Sequence, residues 1–223
     1  MKFQFSPSSP LKTLSVISAL SLTAFALPTQ AGEWSANAAM TNNYIWRGLT
    51  QTENEAAIQG GIDYASDSGF YAGTWVSNVN YAPSDVYSYE HDLYAGFAFE
   101  TGGVSWDVGY LYYNYDKEAE FDFGEVYAKV GFGGFSGGVW VLTNTEADEA
   151  LGQDFGAGST YYVSADYGFE ISNGIGVGLH VGYHDGDFAE AFNGTTGGYY
   201  DYNISVAKDG FAFMMSSTDV EGP

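Results

Sequence analysis

Three groups of residues in this chain have the type and spacing to do chemistry. His180 and His184 lie four apart, which invites a shared metal ion. The runs Asp116-Lys117-Glu118-Ala119-Glu120 and Glu146-Ala147-Asp148-Glu149 gather carboxylates that could attract calcium, although neither follows the ligand spacing of an EF-hand loop. Arg47 is a rare cation in a chain of net charge −22; after Glu33 its only basic companions are Lys117, Lys129 and Lys208. There is no cysteine, hence no thiol nucleophile, disulfide or thiolate metal site, and no G-x-S-x-G segment supplies a nucleophile elbow. Neither enzyme activity nor a bound cofactor or metal is expected.

What these residues can do depends on the elements that hold them, and those elements read as strands. Alternation with period two recurs along most of the chain and no stretch follows a helical period. In 175–183 Ile, Val, Leu, Val and Tyr share one side, while Gly176, Gly178, His180 and Gly182 share the other. On such a strand His180 and His184 stand about 13 Å apart, too far to share an ion directly. Eleven strands are expected, at 34–47, 56–65, 70–79, 90–99, 104–114, 123–132, 136–144, 159–169, 175–184, 198–207 and 211–217. The segments 70–79 and 136–144 have mixed faces.

Spacers between these strands alternate short and long. Gly-, Asn- and Asp-rich clusters such as Ser66-Asp67-Ser68-Gly69 and Lys208-Asp209-Gly210 suit tight hairpins. Long spacers at 48–55, 80–89, 115–122, 145–158 and 185–197 carry much of the acidic charge. All tight turns then lie at one end and all long loops at the other, the asymmetry of an outer-membrane barrel; a soluble β-sandwich needs no such arrangement. The expected fold is all-β, a transmembrane antiparallel up-and-down β-barrel of about twelve strands with eleven visible.

The parity of each strand then divides its residues between lipid and lumen. Arg47, Asp63, Asp92, Glu125, Lys129, Asp166, His180 and Asp201 fall on the polar side and are the candidate pore-lining residues. Trp34, Met40, Tyr44 and Trp46 fall on the opposite side of the first strand. Carboxylates outnumber cations in the lumen set, so a negative potential is expected there. Arg47 is placed either at a constriction that tunes ion preference or in a salt bridge that holds the wall.

The N-terminus reads as an address. Lys2 and Lys12 flank the start, an apolar stretch runs from Leu14 to Leu27, and Thr29-Gln30-Ala31 offers a small-residue exit. This is the pattern of a secretory signal peptide over 1–31, leaving 32–223 as one outer-membrane domain. An even strand number keeps both termini on the periplasmic side, so eleven strands ending at Pro223 imply that the last strand is lacking. With 18% aromatic residues the acidic chain is not of disordered composition, and its charge disfavours nucleic acid. Outer-membrane lipid and small solutes or cations are the expected partners, with the barrel-assembly machinery engaged during insertion.

Three blocks carry a family resemblance: Asn43-Tyr44-Ile45-Trp46-Arg47-Gly48-Leu49-Thr50-Gln51, Ala57-Ile58-Gln59-Gly60-Gly61-Ile62-Asp63-Tyr64, and Ser68-Gly69-Phe70-Tyr71-Ala72-Gly73-Thr74-Trp75-Val76-Ser77-Asn78-Val79. Through them, and through Asp92 to Phe97 and Gly109 to Tyr113, the chain resembles the TorF family of porins. That resemblance implies export and an outer-membrane barrel, with a final strand that ends in an aromatic residue recognised during insertion. It brings no catalytic residues. The function expected is passive diffusion of small hydrophilic solutes or cations, and the alternative is a non-conducting structural or surface-interaction protein acting through its acidic loops.

Overall fold

The computed structural model describes residues 32–82 and 85–220. The expected signal peptide lies outside the described residues. The chain forms one antiparallel sheet of eleven strands in sequential order, together with a two-stranded hairpin. The main sheet comprises β1 (Glu33–Thr41), β4 (Ala57–Ala65), β5 (Phe70–Asn78), β6 (Tyr89–Thr101), β7 (Val104–Tyr115), β8 (Phe123–Phe132), β9 (Phe135–Thr145), β10 (Tyr161–Ile171), β11 (Ile175–Asp185), β12 (Tyr199–Lys208) and β13 (Phe211–Thr218). The hairpin is β2 (Ile45–Trp46) with β3 (Leu49–Thr50), and the only α-helix among the described residues is α1 (Asp187–Asn193). Every neighbouring pair is a hairpin, and the tight turns lie at one end of the sheet while the long connections lie at the other.

Local sequence explains this regularity. The two-residue connections Gly102-Gly103, Gly133-Gly134 and Asp209-Gly210 contain residues at positive φ, which a tight turn between twisted strands requires. The mixed faces of 70–79 and 136–144 are resolved by two tryptophans: Trp75 and Trp140 lie on the concave, polar side of β5 and β9.

The sheet curls tightly. The Tyr71 hydroxyl on β5 meets Asp107 on β7 and Tyr127 on β8, so side chains two and three strands apart touch across the concave face. Glycines on that face make room for the rings: a Cβ on Gly109 would stand 2.5 Å from the Tyr127 hydroxyl oxygen. β1 and β13 are the two edges of the sheet, and no ladder joins them among the described residues.

Polarity is inverted relative to a soluble sheet. The convex side is apolar and exposed, with Trp34 at 72%, Met40 at 79% and Phe211 at 84%. The concave side is polar and covered, with Asp201 at 1%, Glu125 at 2% and Asp107 at 4%. The convex apolar band is itself graded. Phe70, Phe99, Trp106, Phe132, Phe135 and Phe211 ring the end with the tight turns, and Tyr89, Tyr200 and Tyr202 stand toward the long loops. Aliphatic residues such as Ile62, Leu93, Val126 and Leu179 fill the middle.

One expected strand is overturned. The segment 34–47 is not continuous, because β1 ends at Thr41. The chain then turns inward, and Arg47 and Gly48 close the β2–β3 hairpin with φ of 45° and 82°. Parity therefore stops at Thr41, and Tyr44 and Trp46 do not point outward: Tyr44 is 2% exposed and Trp46 packs in the interior cluster. The polar residues at 41–43 and 50–54 are what hold this finger. Thr52 Oγ1 accepts from the Tyr44 amide at 3.2 Å, and the Gln51 amide donates to the Tyr44 carbonyl at 2.6 Å.

Candidate functional site

The inward finger brings Arg47 to the far walls of the sheet. Its Nη1 and Nη2 donate to Glu125 Oε1 and Oε2 at 2.9 and 2.6 Å, a two-pronged ion pair. Nη1 also lies 3.0 Å from His184 Nε2. A guanidinium has only donors, so Nε2 accepts and the proton of His184 belongs on Nδ1, which faces the Tyr199 hydroxyl at 3.3 Å. The guanidinium lies over the rings of Trp46 and Tyr162, at 4.2 and 4.4 Å from their centroids. Burial by itself pulls the pKa of Arg47 down, but the Glu125 carboxylate more than reverses this and holds the pKa above its ordinary value.

The hairpin tip admits no other geometry. Gly48 has φ of +82°, and a Cβ there would meet the Asp201 Cβ and the Thr218 Cγ2, each at 2.5 Å. A single turn thus touches β8, β11, β12 and β13. Arg47 itself sits at positive φ, which is unfavourable for a residue with a long side chain and is held by the contacts around it.

Around the finger the loop end is filled by aromatic side chains. Tyr44, Tyr113, Tyr115, Phe123, Leu142, Phe155 and Phe188 form a buried cluster, with Trp46, Phe121 and Phe192 packed against it. Helix α1 contributes Phe188 and Phe192, and the Phe123 ring lies 5.0 Å from Phe188. Tyr44 donates to Glu90 Oε1 at 2.7 Å, and burial followed by the Glu90 charge raises its pKa well above the ordinary phenol value. On the outside of this plug, Asp116 accepts from the amides of Ser88 and Tyr89 at 2.6 and 3.2 Å and from the Ser88 hydroxyl at 2.8 Å. Its slight burial works to raise its pKa, and the bonds from Ser88 outweigh that and lower it.

From beside the finger down to the tight turns the interior is lined by polar pairs. Lys129 Nζ pairs with Asp107 Oδ2 at 2.7 Å. His180 lies between Asp166, at 2.6 Å from its Nδ1, and Asp201, at 3.0 Å from its Nε2; carboxylates only accept, so both ring nitrogens act as donors. Tyr162 donates to Asp201 at 3.0 Å, and Tyr94 donates to Asp63. Asp92 is 8% exposed, and its Oδ1 is buried without a hydrogen-bond partner.

All eight residues singled out by strand parity are thus on the inner side, in five separate settings: Arg47 with Glu125, Lys129 with Asp107, His180 with Asp166 and Asp201, Asp63 on β4 with Tyr94, and Asp92 two strands away on β6. Arg47 arrives there by a turn, not by the parity that pointed to it. The two histidines hold different partners, and no cluster of three or more His, Asp or Glu suited to a metal ion occurs among the described residues. Glu90, Asp107, Tyr113 and Tyr162 belong to the site but were not singled out. Glu90 and Asp107 share the parity of Asp92 and Glu125 and were open to the same argument. Tyr113 and Tyr162 also fall on the polar side by parity, and only their aromatic rings set them apart from the charged residues that parity picks out. Helix α1 was missed because its seven residues lie in an acidic loop.

No curated protein and no solved structure matches this chain significantly. The sequence from 26 to 223, nearly all of the chain, matches a family described as "Bacterial protein of unknown function (Gcw_chp)", and the protein belongs to that family.

Proposed function

We propose that this protein is a bacterial outer-membrane β-barrel whose lumen is closed at the loop end by its own first connection, so that small cations pass only when that plug gives way. One observation carries the reading: the sheet exposes its apolar face and buries its charged one. Such a polarity is unfavourable in water and favourable with lipid outside and polar groups within. Supporting it, β6 and β7 have 13 and 12 residues, enough to cover about 30 Å when tilted as barrel strands are. The aromatic bands at both ends suit the two membrane interfaces. The TorF-family porin resemblance agrees with this reading.

The aromatic plug and the Arg47–Glu125 pair alter the simpler expectation of an open diffusion pore. At their level Phe123 is 1% exposed, Tyr115 2% and Leu142 0%, so these side chains are packed out of contact with water. The same plug favours the second reading, a non-conducting protein that presents acidic loops at the cell surface.

Recordings from the full chain in planar bilayers distinguish the two. The plugged channel gives rare, small, cation-selective openings, and Arg47→Ala makes them frequent. Large, persistent or anion-selective openings in the unaltered protein would contradict the proposal. Silence from both correctly inserted proteins supports the surface-interaction reading instead.

A further inference from the structure

The finger is seated on a second network that the Arg47–Glu125 pair does not include. At its tip the backbone of Gly48 rests on the side chain of Asp201, so close that a Cβ there would stand 2.5 Å from the Asp201 Cβ. Asp201 on β12 is held by two donors: the Tyr162 hydroxyl donates to its Oδ2 at 3.0 Å, and His180 Nε2 donates to its Oδ1 at 3.0 Å. The ring of Tyr162 in turn carries the Arg47 guanidinium, 4.4 Å from its centroid. His180 Nε2 also lies 2.9 Å from the Tyr162 hydroxyl, so this one ring touches both residues that bear the finger. Its other nitrogen, Nδ1, is fixed by Asp166 at 2.6 Å.

This arrangement needs a proton. Carboxylates only accept, so a ring set between Asp166 and Asp201 donates from both nitrogens and is an imidazolium. Whichever nitrogen loses its proton, one acid is left facing a lone pair, and the ring is no longer held between the two. The Asp201 side chain is 2% exposed, so a lost donor there is not replaced from bulk water. His180 and Asp166 are 14 and 15% exposed, which gives the proton a way in and out. The titratable groups that face the ring are Asp166 and Tyr162 from β10 and Asp201 from β12, with His184 two inward positions further along β11. β9 and β13 carry no titratable side chain. Arg47 is the charge that the finger brings against Tyr162, and it is paired with Glu125.

We propose that His180 is a positioning residue for the plug: its protonated ring clasps Asp166 to Asp201, sets Asp201 and Tyr162 as the seat of the finger, and gives up that seat when the proton leaves. The inference deepens the plugged-channel reading and rests on it for the effect on conduction. The closed form holds one proton more than the open form, so it is favoured below the titration of His180 and loses ground as pH rises through it. His184 reports the outcome, because its Nε2 accepts from Arg47 only while the finger is seated.

The test is a pH titration of the full chain folded in detergent, with nitrogen-15 in the rings of its 3 histidines, from about pH 6 to about pH 10. At the acid end His180 is expected to carry protons on both nitrogens. On the way up it is expected to lose one, and the His184 signals are expected to move with the same midpoint. In His180→Gln the His184 signals should stand at their alkaline position throughout, while His91→Gln, on the outer wall, should keep the coupled titration. A His180 ring that keeps both protons across the range, or loses one without moving His184, overturns the clasp. Should His180→Gln not fold, the coincidence of the two midpoints in the unaltered protein decides alone. In planar bilayers the openings are expected to become more frequent through the same midpoint, by up to about tenfold per pH unit for one proton. Openings that do not change with pH overturn the clasp and leave the channel reading standing. A coupled titration without any openings upholds the clasp and counts against the channel.

Discussion

The two ends of the interior solve the same problem, charge enclosed by a curled sheet, in opposite ways. At the loop end Arg47 is clamped by Glu125, capped by two aromatic rings and sealed under Phe123, Phe188 and Phe192. Toward the turns Lys129 and His180 pair with carboxylates directly, and Lys129 lies over a single ring, that of Tyr127, at 4.7 Å. Both use a cation and an acid; the loop end adds a larger aromatic surround. An ion pair excluded from water is costly to break from one side, whereas a pair with other polar groups nearby can be re-solvated.

The largest expected effect follows from that difference. Glu125→Ala strands the buried guanidinium and is expected to destabilise the folded protein by about 3–5 kcal/mol in denaturant titration, while the double variant Arg47→Met, Glu125→Leu recovers most of that loss. A double variant no better than the single one would break the comparison. Next in size is a change on the outer wall. Leu179 lies near the middle of β11 and is 43% exposed, so Leu179→Arg costs about 2–4 kcal/mol in a lipid bilayer. An exposed position facing water would cost about 0.5 kcal/mol or less, which makes this variant a direct check on the membrane reading.

The turn end supplies the matched control. Lys129→Met leaves Asp107 with the Tyr71 hydroxyl as a donor, and a loss of about 1–2 kcal/mol is expected in the same titration. A loss equal to that of Glu125→Ala would show that the aromatic surround does not separate the two ends. The smallest effect concerns the latch outside the plug. The pKa of Asp116 is lowered in the folded protein, so its contribution is present above the unfolded value near 4 and is lost as pH falls through the folded value. Amide exchange at Ser88 and Tyr89, corrected for its intrinsic pH dependence, is therefore expected to quicken at pH 3 relative to pH 6 while amides of β7 do not change.

Sequence legibility follows the same division. Ten of the expected strands recur with ends shifted by no more than two residues, because their alternation and turn residues are local signals. The inner placement of Asp63, Asp92, Glu125, Lys129, Asp166, His180 and Asp201 was legible for the same reason. The finger was not. Ile45-Trp46 continues the alternation of β1 perfectly well, and only contacts with β8, β11 and β12 distinguish an inward hairpin from two further strand residues. The parity of an unbroken first strand puts Tyr44 and Trp46 on the outer wall, and their type does not correct it, because an aromatic ring suits a lipid interface and a packed plug alike.

That finger also sets a timetable for assembly. Arg47 meets Glu125 across 78 residues of chain and His184 across 137, so its ties form only after most of the wall exists. Closing loops of that length is slow, and neighbouring hairpins are free to zip up long beforehand. The order that follows is a wall of hairpins first and the seating of the finger last.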